Sequence, residues 1–220
     1  MAEELREFAD ADALARGAAT YVLDRARLAT ASGGTFHWAV SGGRTPWAMF
    51  EHLVHSNLDW AHTVLYQVDE RVAPAGDPSR NLTRLHAILE AIPVRLEAMP
   101  VNDDDLAAAA LRYGAALPER FDLVHLGLGP DGHTASLVPG DRVLEVSDRL
   151  VALSGPYQGH RRMTLTYPAL ARADQTLWLV AGADKREALA RLLGGDESIP
   201  AGRVPRAHSL VLADRAAGGQ

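Results

Sequence analysis

The chain of 220 residues contains no cysteine. That excludes disulfides, thiolate metal sites and cysteine nucleophiles together. Aromatic residues make up only 6%, so the core has to be assembled mainly from Ala and Leu. No run approaches the ~18 apolar residues that a membrane span needs. The opening "MAEELREFADADAL" has no basic segment followed by an apolar one, so it does not match a secretory signal; it reads as acidic and helical. There is no basic stripe either. Lys and Arg number 22 against 28 Asp and Glu, a net charge of −6 spread along the sequence, which makes nucleic acid a poor partner. An anionic small molecule would need positive charge gathered locally against the net field. With 47% hydrophobic residues a sizeable core is available, and the expectation is one cytoplasmic domain over residues 1–220.

What is present alternates between two patterns. A helical stretch over about 11–30 leads into the apolar run "TFHWAV" and the turn "SGGRTP". After it come a helix ("TPWAMFEHLVHS"), the strand-like "TVLYQV", a polar loop "DERVAPAGDPSRN", the helix "LTRLHAILEAI" and an Ala-rich helix over 103–117. The strand "FDLVHLGL", a β-like stretch near 143–153, "RMTLTY", "TLWLVAG", the helix "DKREALARLLGG" and "SLVLAD" complete the order, with "RAAGGQ" read as a frayed tail. Short apolar runs alternating with amphipathic segments predict an α/β fold with a mostly parallel sheet. In the last long helix Leu189, Leu192 and Leu193 supply the buried face, and Gly194-Gly195 ends it. Ligands of such sheets bind beyond the carboxyl ends of the strands. Four loops fall there: Ser41 to Thr45, Asp69 to Arg71, Gly127 to His133, and Gly182 to Lys185.

Ser41-Gly42-Gly43-Arg44-Thr45 follows a strand and precedes a helix. Its glycines permit close backbone approach, and its amides, with the Ser41 and Thr45 hydroxyls, suit an anion. The simpler reading is a tight turn with Thr45 as N-cap and Pro46 as first helical residue. The two are compatible. Asp69-Glu70-Arg71 is by itself an ordinary solvated cluster, but Arg71 gains interest because a guanidinium grips an oxyanion with two bonds. Lys185 lies in the first turn of its helix, where the dipole disfavours a cation; an anionic ligand, neighbouring Asp184 or plain exposure would each account for it.

Gly127-x-Gly129-x-x-Gly132 has the spacing of a dinucleotide-binding turn. That reading needs a helix of useful length after the third glycine, and Pro139-Gly140 cuts the segment short. Asp131 would also set a carboxylate beside a pyrophosphate. As a catalytic loop the residues fit better: glycines allow a strained backbone and leave amides for an oxyanion, and histidine, here His133, is the side chain that titrates near neutral pH. His52 and His55, i and i+3 on a helix, lack a visible third ligand and read as surface. His125 reads as a packed strand residue. No Gly-x-Ser-x-Gly elbow occurs, so a serine hydrolase has no support.

Taken together, "SGGRTP", "DERVAP" with downstream Asn81, "GLGPDGHTASLVPG", "RRMTLTYPAL" and "GADKREAL" resemble the 6-phosphogluconolactonase family over most of the chain. The resemblance implies a Rossmann-like three-layer α/β sandwich shared with glucosamine-6-phosphate deaminases. It implies hydrolysis of 6-phospho-D-glucono-1,5-lactone with no metal or organic cofactor. A monomer or weak homodimer is expected. His133 would act as general base, with Asp131 orienting it or binding a sugar hydroxyl. Ser41, Gly42, Gly43, Arg44, Thr45, Asp69, Arg71, Asn81, Gly129, Arg162 and Lys185 would bind substrate, the oxyanion lying on amides around Gly129.

Three departures from the family pattern stand out. Val138 replaces a Phe. The Ser-Asn pair becomes Ser79-Arg80-Asn81. "GPYQGHRR" stands where prolines are usual, which opens a choice between Arg161 and Arg162 that the spacing to Thr164 tips to Arg162. Arg162 begins its strand, so a parallel strand would put it at the wrong end of the sheet; either the strand is antiparallel or Arg162 takes no direct part. A deaminase would carry an Asn-Glu pair shortly after the Asp-Gly-His loop, and here no carboxylate follows until Asp141. A non-catalytic sugar-phosphate sensor would need a DNA-binding module, and no basic helix-turn-helix precedes residue 30.

Overall fold

The computed structural model describes residues 4–219. Ten strands and seven helices alternate: β1 (Glu4–Phe8), α1 (Ala11–Thr30), β2 (Phe36–Val40), α2 (Arg44–Leu53), β3 (Thr63–Gln67), β4 (Asp69–Arg71), α3 (Asn81–Leu89), β5 (Arg95–Glu97), α4 (Leu106–Ala116), β6 (Leu123–Gly127), β7 (Val151–Tyr157), β8 (His160–Leu165), α5 (Tyr167–Leu170), β9 (Thr176–Val180), α6 (Arg186–Leu193), β10 (Ser209–Asp214) and α7 (Arg215–Gly218). Seven strands form a sheet in the order β1-β10-β9-β6-β2-β3-β5, every pair parallel. Strands β4, β8 and β7 make a separate antiparallel sheet.

The side-chain alternation of the central strands builds two cores. Leu177 and Leu179 of β9, with Leu210 and Leu212 of β10, pack against Leu14, Val22, Met49, Phe50 and Leu85 from α1, α2 and α3. Trp178, Val180, Val211 and Ala213 point the other way, toward Tyr113 of α4, Leu189 and Leu192 of α6, and Val151, Met163 and Leu165 of the small sheet. Strands buried on both faces read as near-continuous apolar runs, as "TLWLV" does. The fold is therefore the expected α/β sandwich with a mostly parallel sheet, the small sheet sharing one outer layer with helices.

Several local expectations give way. Residues Glu4–Phe8 are not helical but an edge strand on β10. Asp10 fixes the boundary by accepting from the Ala13 amide at 2.8 Å, which caps α1 and stops it running backward. Residues 69–71 form a strand, not a solvated loop, with Asp69 and Glu70 buried. The stretch near 143–153 splits into a 3₁₀ turn, Arg142–Glu145, and β7. The Ala-rich helix starts at Leu106, capped by Asp105 on the Ala107 and Ala108 amides. The tail is not frayed as far as it is described: Asp214 caps α7, and Ala217 is buried. Among the described residues no helix is long and apolar enough to cross a membrane.

Candidate active site

The carboxyl ends of β2, β3, β6 and β9 open onto one edge of the parallel sheet, and the four loops singled out from the sequence meet there. A cleft of about 260 Å³ is lined by Ser41 to Pro46, Asp69, Arg71, Asn81, Gly127 to Gly129, His133, Ala135, Arg162, Leu179, Ala181 and Lys185. Four cations, Arg44, Arg71, Arg162 and Lys185, face this space with one buried carboxylate, Asp69. A chain of net charge −6 thus gathers positive charge at one place, as an anionic ligand requires.

The α2 end of the cleft is an anion cradle by construction. Helix α2 begins at Arg44, its N-cap is Gly43, and no side chain caps it, so amides of its first turn lack intrahelical partners. The cap is Gly43 and not Thr45 because the chain enters at φ +135°, a region open to glycine. Gly42 is required for a different reason: a side chain there would run into Asn81. The Ser41 hydroxyl is not a free donor. It donates to the His125 carbonyl at 2.9 Å, while the Ser41 amide donates to His125 Nδ1 at 3.3 Å. His125 is fully buried, and burial pushes its pKa down to about 3. It is the packed strand residue expected, and it also holds the start of the cradle.

Strand β4 carries a network beneath the cleft. Asn81 donates to the Asp69 carboxylate at 3.2 Å and accepts from Arg71 Nη1 at 2.7 Å, and Arg71 also donates to the Ser79 carbonyl. Of the two polar residues after the DER segment, Asn81 faces the cleft, whereas the Ser79 hydroxyl bonds Asp77 at 2.6 Å. Glu70, which the sequence reading left without a role, accepts from the Asn81 and Leu82 amides, both at 2.8 Å. It serves as a remote cap for α3 and so fixes Asn81. Asp69 accepts from Ser136 at 2.6 Å and lies 3.8 Å from Arg162.

Arg162 resolves the question of strand direction. Strand β8 is antiparallel to β4 and outside the main sheet, with Arg162 opposite Arg71. Its first residues therefore lie at the cleft, and Arg162 is buried and lines it while Arg161 is exposed. Lys185 also lines the cleft, its Nζ 3.3 Å from Asp184. It ends a 3₁₀ turn, Ala183–Lys185, and is the N-cap of α6, one residue before the first turn expected from the sequence; the cleft and the neighbouring acid both account for a cation there.

The loop after β6 is a tight turn with no helix behind it. The Gly129 amide donates to the His133 carbonyl at 2.8 Å and the Gly132 amide to the Gly129 carbonyl at 3.0 Å. These two donors close the turn on itself, so among the amides expected around Gly129 to hold an oxyanion those of Gly129 and Gly132 are already bonded within the turn. The turn presses Gly129 against the His133 ring and Asp131, where a Cβ would collide. Gly132 adopts φ +81° and abuts Ile199, and its carbonyl receives the Ala201 amide at 3.0 Å.

Within this turn the Asp131 carboxylate lies 2.6 Å from His133 Nδ1 and accepts the His133 amide at 3.1 Å. A carboxylate can only accept, so Nδ1 donates to it, and in the neutral imidazole the lone pair is then on Nε2. Burial alone would raise the pKa of Asp131, but the hydrogen bonds from His133 outweigh it and hold the carboxyl below the usual range. A further residue, missed in the sequence, touches the pair: the Tyr157 hydroxyl is 3.2 Å from Asp131 Oδ2 and 3.3 Å from His133 Nδ1. Its only sequence signal was the departure "GPYQGHRR" from the proline-rich pattern. His52, by contrast, lies away from this cleft, 3.5 Å from Asp12.

Comparison with known proteins follows the same lines. The family model for glucosamine-6-phosphate isomerases/6-phosphogluconolactonase matches residues 9–212. A 6-phosphogluconolactonase of Nostoc sp. is 34% identical over 229 residues, covering 96% of this chain and 95% of that protein. The human GDH/6PGL endoplasmic bifunctional protein is 40% identical over 171 residues, which is 70% of this chain but only 22% of that much longer protein. Among solved structures, a 6-phosphogluconolactonase from Thermotoga maritima superposes with a TM-score of 0.86 at 24% identity, covering 96% of this chain and 99% of the other. A monomeric glucosamine-6-phosphate deaminase reaches 0.83 at 21%, covering 98% and 99%; at these identities the likeness establishes the fold alone. By the extent of the family match and of the Nostoc alignment, this chain belongs to the glucosamine-6-phosphate isomerase/6-phosphogluconolactonase family.

Proposed function

We propose that the protein hydrolyses 6-phospho-D-glucono-1,5-lactone to 6-phosphogluconate. The observation that carries this reading is the Asp131–His133 pair at a cleft lined by four cations and an uncapped helix N-terminus. One end of the cleft suits a phosphate and the other holds a lone pair ready to take a proton. The phosphate docks on the amides from Gly42 to Thr45, with Arg44 and Lys185 balancing its charge. Binding energy from this remote group orients the lactone carbonyl at His133. His133 Nε2 takes a proton from water as its oxygen bonds to C1. The tetrahedral intermediate then collapses, the C1–ring oxygen bond breaks, and the imidazolium returns the proton to that oxygen. A positioned general base contributes about 10²–10⁴ in rate, which is enough for a lactone that already opens slowly in water. With the Gly129 and Gly132 amides occupied, the developing oxyanion falls to Arg162, which stands at the Tyr157–His133 end of the cleft. Asp69, Arg71 and Asn81 form the floor that receives the sugar hydroxyls.

The deaminase reading loses its remaining candidate acid. Asp141 accepts from the Val143 amide at 2.8 Å and the Gly155 amide at 2.8 Å, and so is committed to a turn outside the cleft. We also take the activity to reside in one domain acting as a monomer or weak homodimer in the cytoplasm. The exposed large apolar residues Leu5, Leu28 and Leu111 fall one each on β1, α1 and α4, the scattered pattern of an ordinary surface. The test is hydrolysis of freshly generated lactone, with the spontaneous rate subtracted, by wild type and His133→Ala. Acceleration that vanishes in the variant, while 6-phosphogluconate still binds, supports the scheme. Absence of acceleration by wild type, or an unchanged kcat in the variant, removes it.

A further inference from the structure

We propose that Tyr157, at the tip of the β7–β8 hairpin, is a positioning residue that locks the Asp131 carboxylate onto His133 and seats Arg162 beside them. The inference rests on the reading of His133 as general base given above. The Tyr157 hydroxyl donates to Asp131 Oδ2 at 3.2 Å, while Oδ1 is the oxygen held by His133. A carboxylate anchored through one oxygen can rotate about its own axis; anchoring both oxygens fixes its plane and with it the imidazole. The ring meets His133 edge-on, with centroids 5.1 Å apart and planes at 63°. The Arg162 guanidinium lies over the same ring, its central carbon 5.1 Å from the centroid. Arg162 also donates to the Tyr157 carbonyl at 3.3 Å and to Gln158 Oε1 at 3.4 Å. One side chain therefore touches the acid, the base and the cation proposed for the oxyanion.

The hairpin is shaped to deliver it. The register of β7 against β8 shifts between Ser154 and Tyr157, an irregularity that re-aims a strand's side chains, and the turn is closed by Gln158 and Gly159 at φ +50° and +85°. Burial, and then the Asp131 charge, raise the Tyr157 hydroxyl above its ordinary value, so it remains a donor at neutral pH.

The experiment compares Tyr157→Phe, Tyr157→Ala, Asp131→Asn and the Asp131→Asn/Tyr157→Phe double variant in lactone hydrolysis. Nitrogen NMR of the His133 imidazole is recorded on wild type and Tyr157→Phe without substrate. Tyr157→Phe keeps the ring on Arg162 and is expected to lose about tenfold in kcat with KM unchanged, the scale of one hydrogen bond to a charged group. Tyr157→Ala is expected to lose kcat and raise KM as Arg162 loosens. On the Asp131→Asn background the Phe change should alter kcat by less than about twofold, because residues acting as one unit are not additive. The Nδ1-protonated tautomer should dominate in wild type and give ground to the other in Tyr157→Phe. A normal kcat in Tyr157→Phe, an equal loss on both backgrounds, or identical imidazole signals in the two proteins would overturn the proposal. Should wild type hydrolyse no lactone, the proposed function fails and the imidazole signals alone decide this inference.

Discussion

At the scale of single residues, the site depends on close approach. Gly129 needs no side chain because the turn presses it against the His133 ring and Asp131. Gly129→Ala should push the imidazole off its bond to Asp131 while leaving the phosphate cradle intact. The expected result is a kcat lower by about 10²-fold with KM little changed, since a 1 Å misplacement of a reacting group costs that much; steady-state kinetics read it directly. Lys185 makes the opposite prediction. It lines the cleft and, in the proposed docking, meets only the phosphate, so Lys185→Ala should raise KM for the phosphorylated lactone about tenfold and spare kcat, a uniform-binding loss. A KM that stays normal would move the phosphate elsewhere.

At the scale of elements, the critical joint is between β4 and α3. Glu70 is completely buried and accepts from Gln67 Nε2 and from the amides of Arg71, Asn81 and Leu82, with Arg80 3.6 Å away. Glu70→Ala would leave those donors and the Arg80 charge buried and unpaired, which costs about 3–5 kcal/mol. Urea denaturation should show that loss. Because the same carboxylate fixes Asn81 and through it Arg71, any folded fraction should also bind 6-phosphogluconate more weakly. An effect below about 1 kcal/mol would mean that water replaces the lost acceptor.

At the scale of the whole molecule, His125 ties the central sheet to the cradle and makes stability depend on pH. Its folded pKa, about 3, lies below the ordinary 6.5 because the ring is fully buried. Below 6.5 the unfolded chain binds a proton that the folded one refuses, so this contribution is fully present above pH 6.5. It is lost as pH falls toward 3, by about 1.4 kcal/mol for each unit. Denaturation midpoints should decline between pH 6.5 and 4.5, before ordinary carboxylates titrate, and His125→Asn should flatten that decline. A midpoint constant across that window would show that the ring accepts its proton in place.

Local chemistry made much of this legible. Short apolar runs, turn glycines and the alternation of patterns specified a parallel α/β sheet, and the sheet rule placed four loops at one edge, because where a strand ends and a turn begins is a property of the local backbone. Tertiary structure decided the rest. It turned "ELREF" into an edge strand because β10 offered a free ladder, and it buried "DER" because a second sheet needed a strand. It set β8 antiparallel, which brought Arg162 to the cleft. It committed the Ser41 hydroxyl and the Gly129 amide to internal bonds and delivered Tyr157 from a hairpin 24 residues beyond His133. Hydrogen-bond partners distant in sequence leave no periodic trace in it, so only the folded chain shows which polar groups are already satisfied and which remain for a substrate.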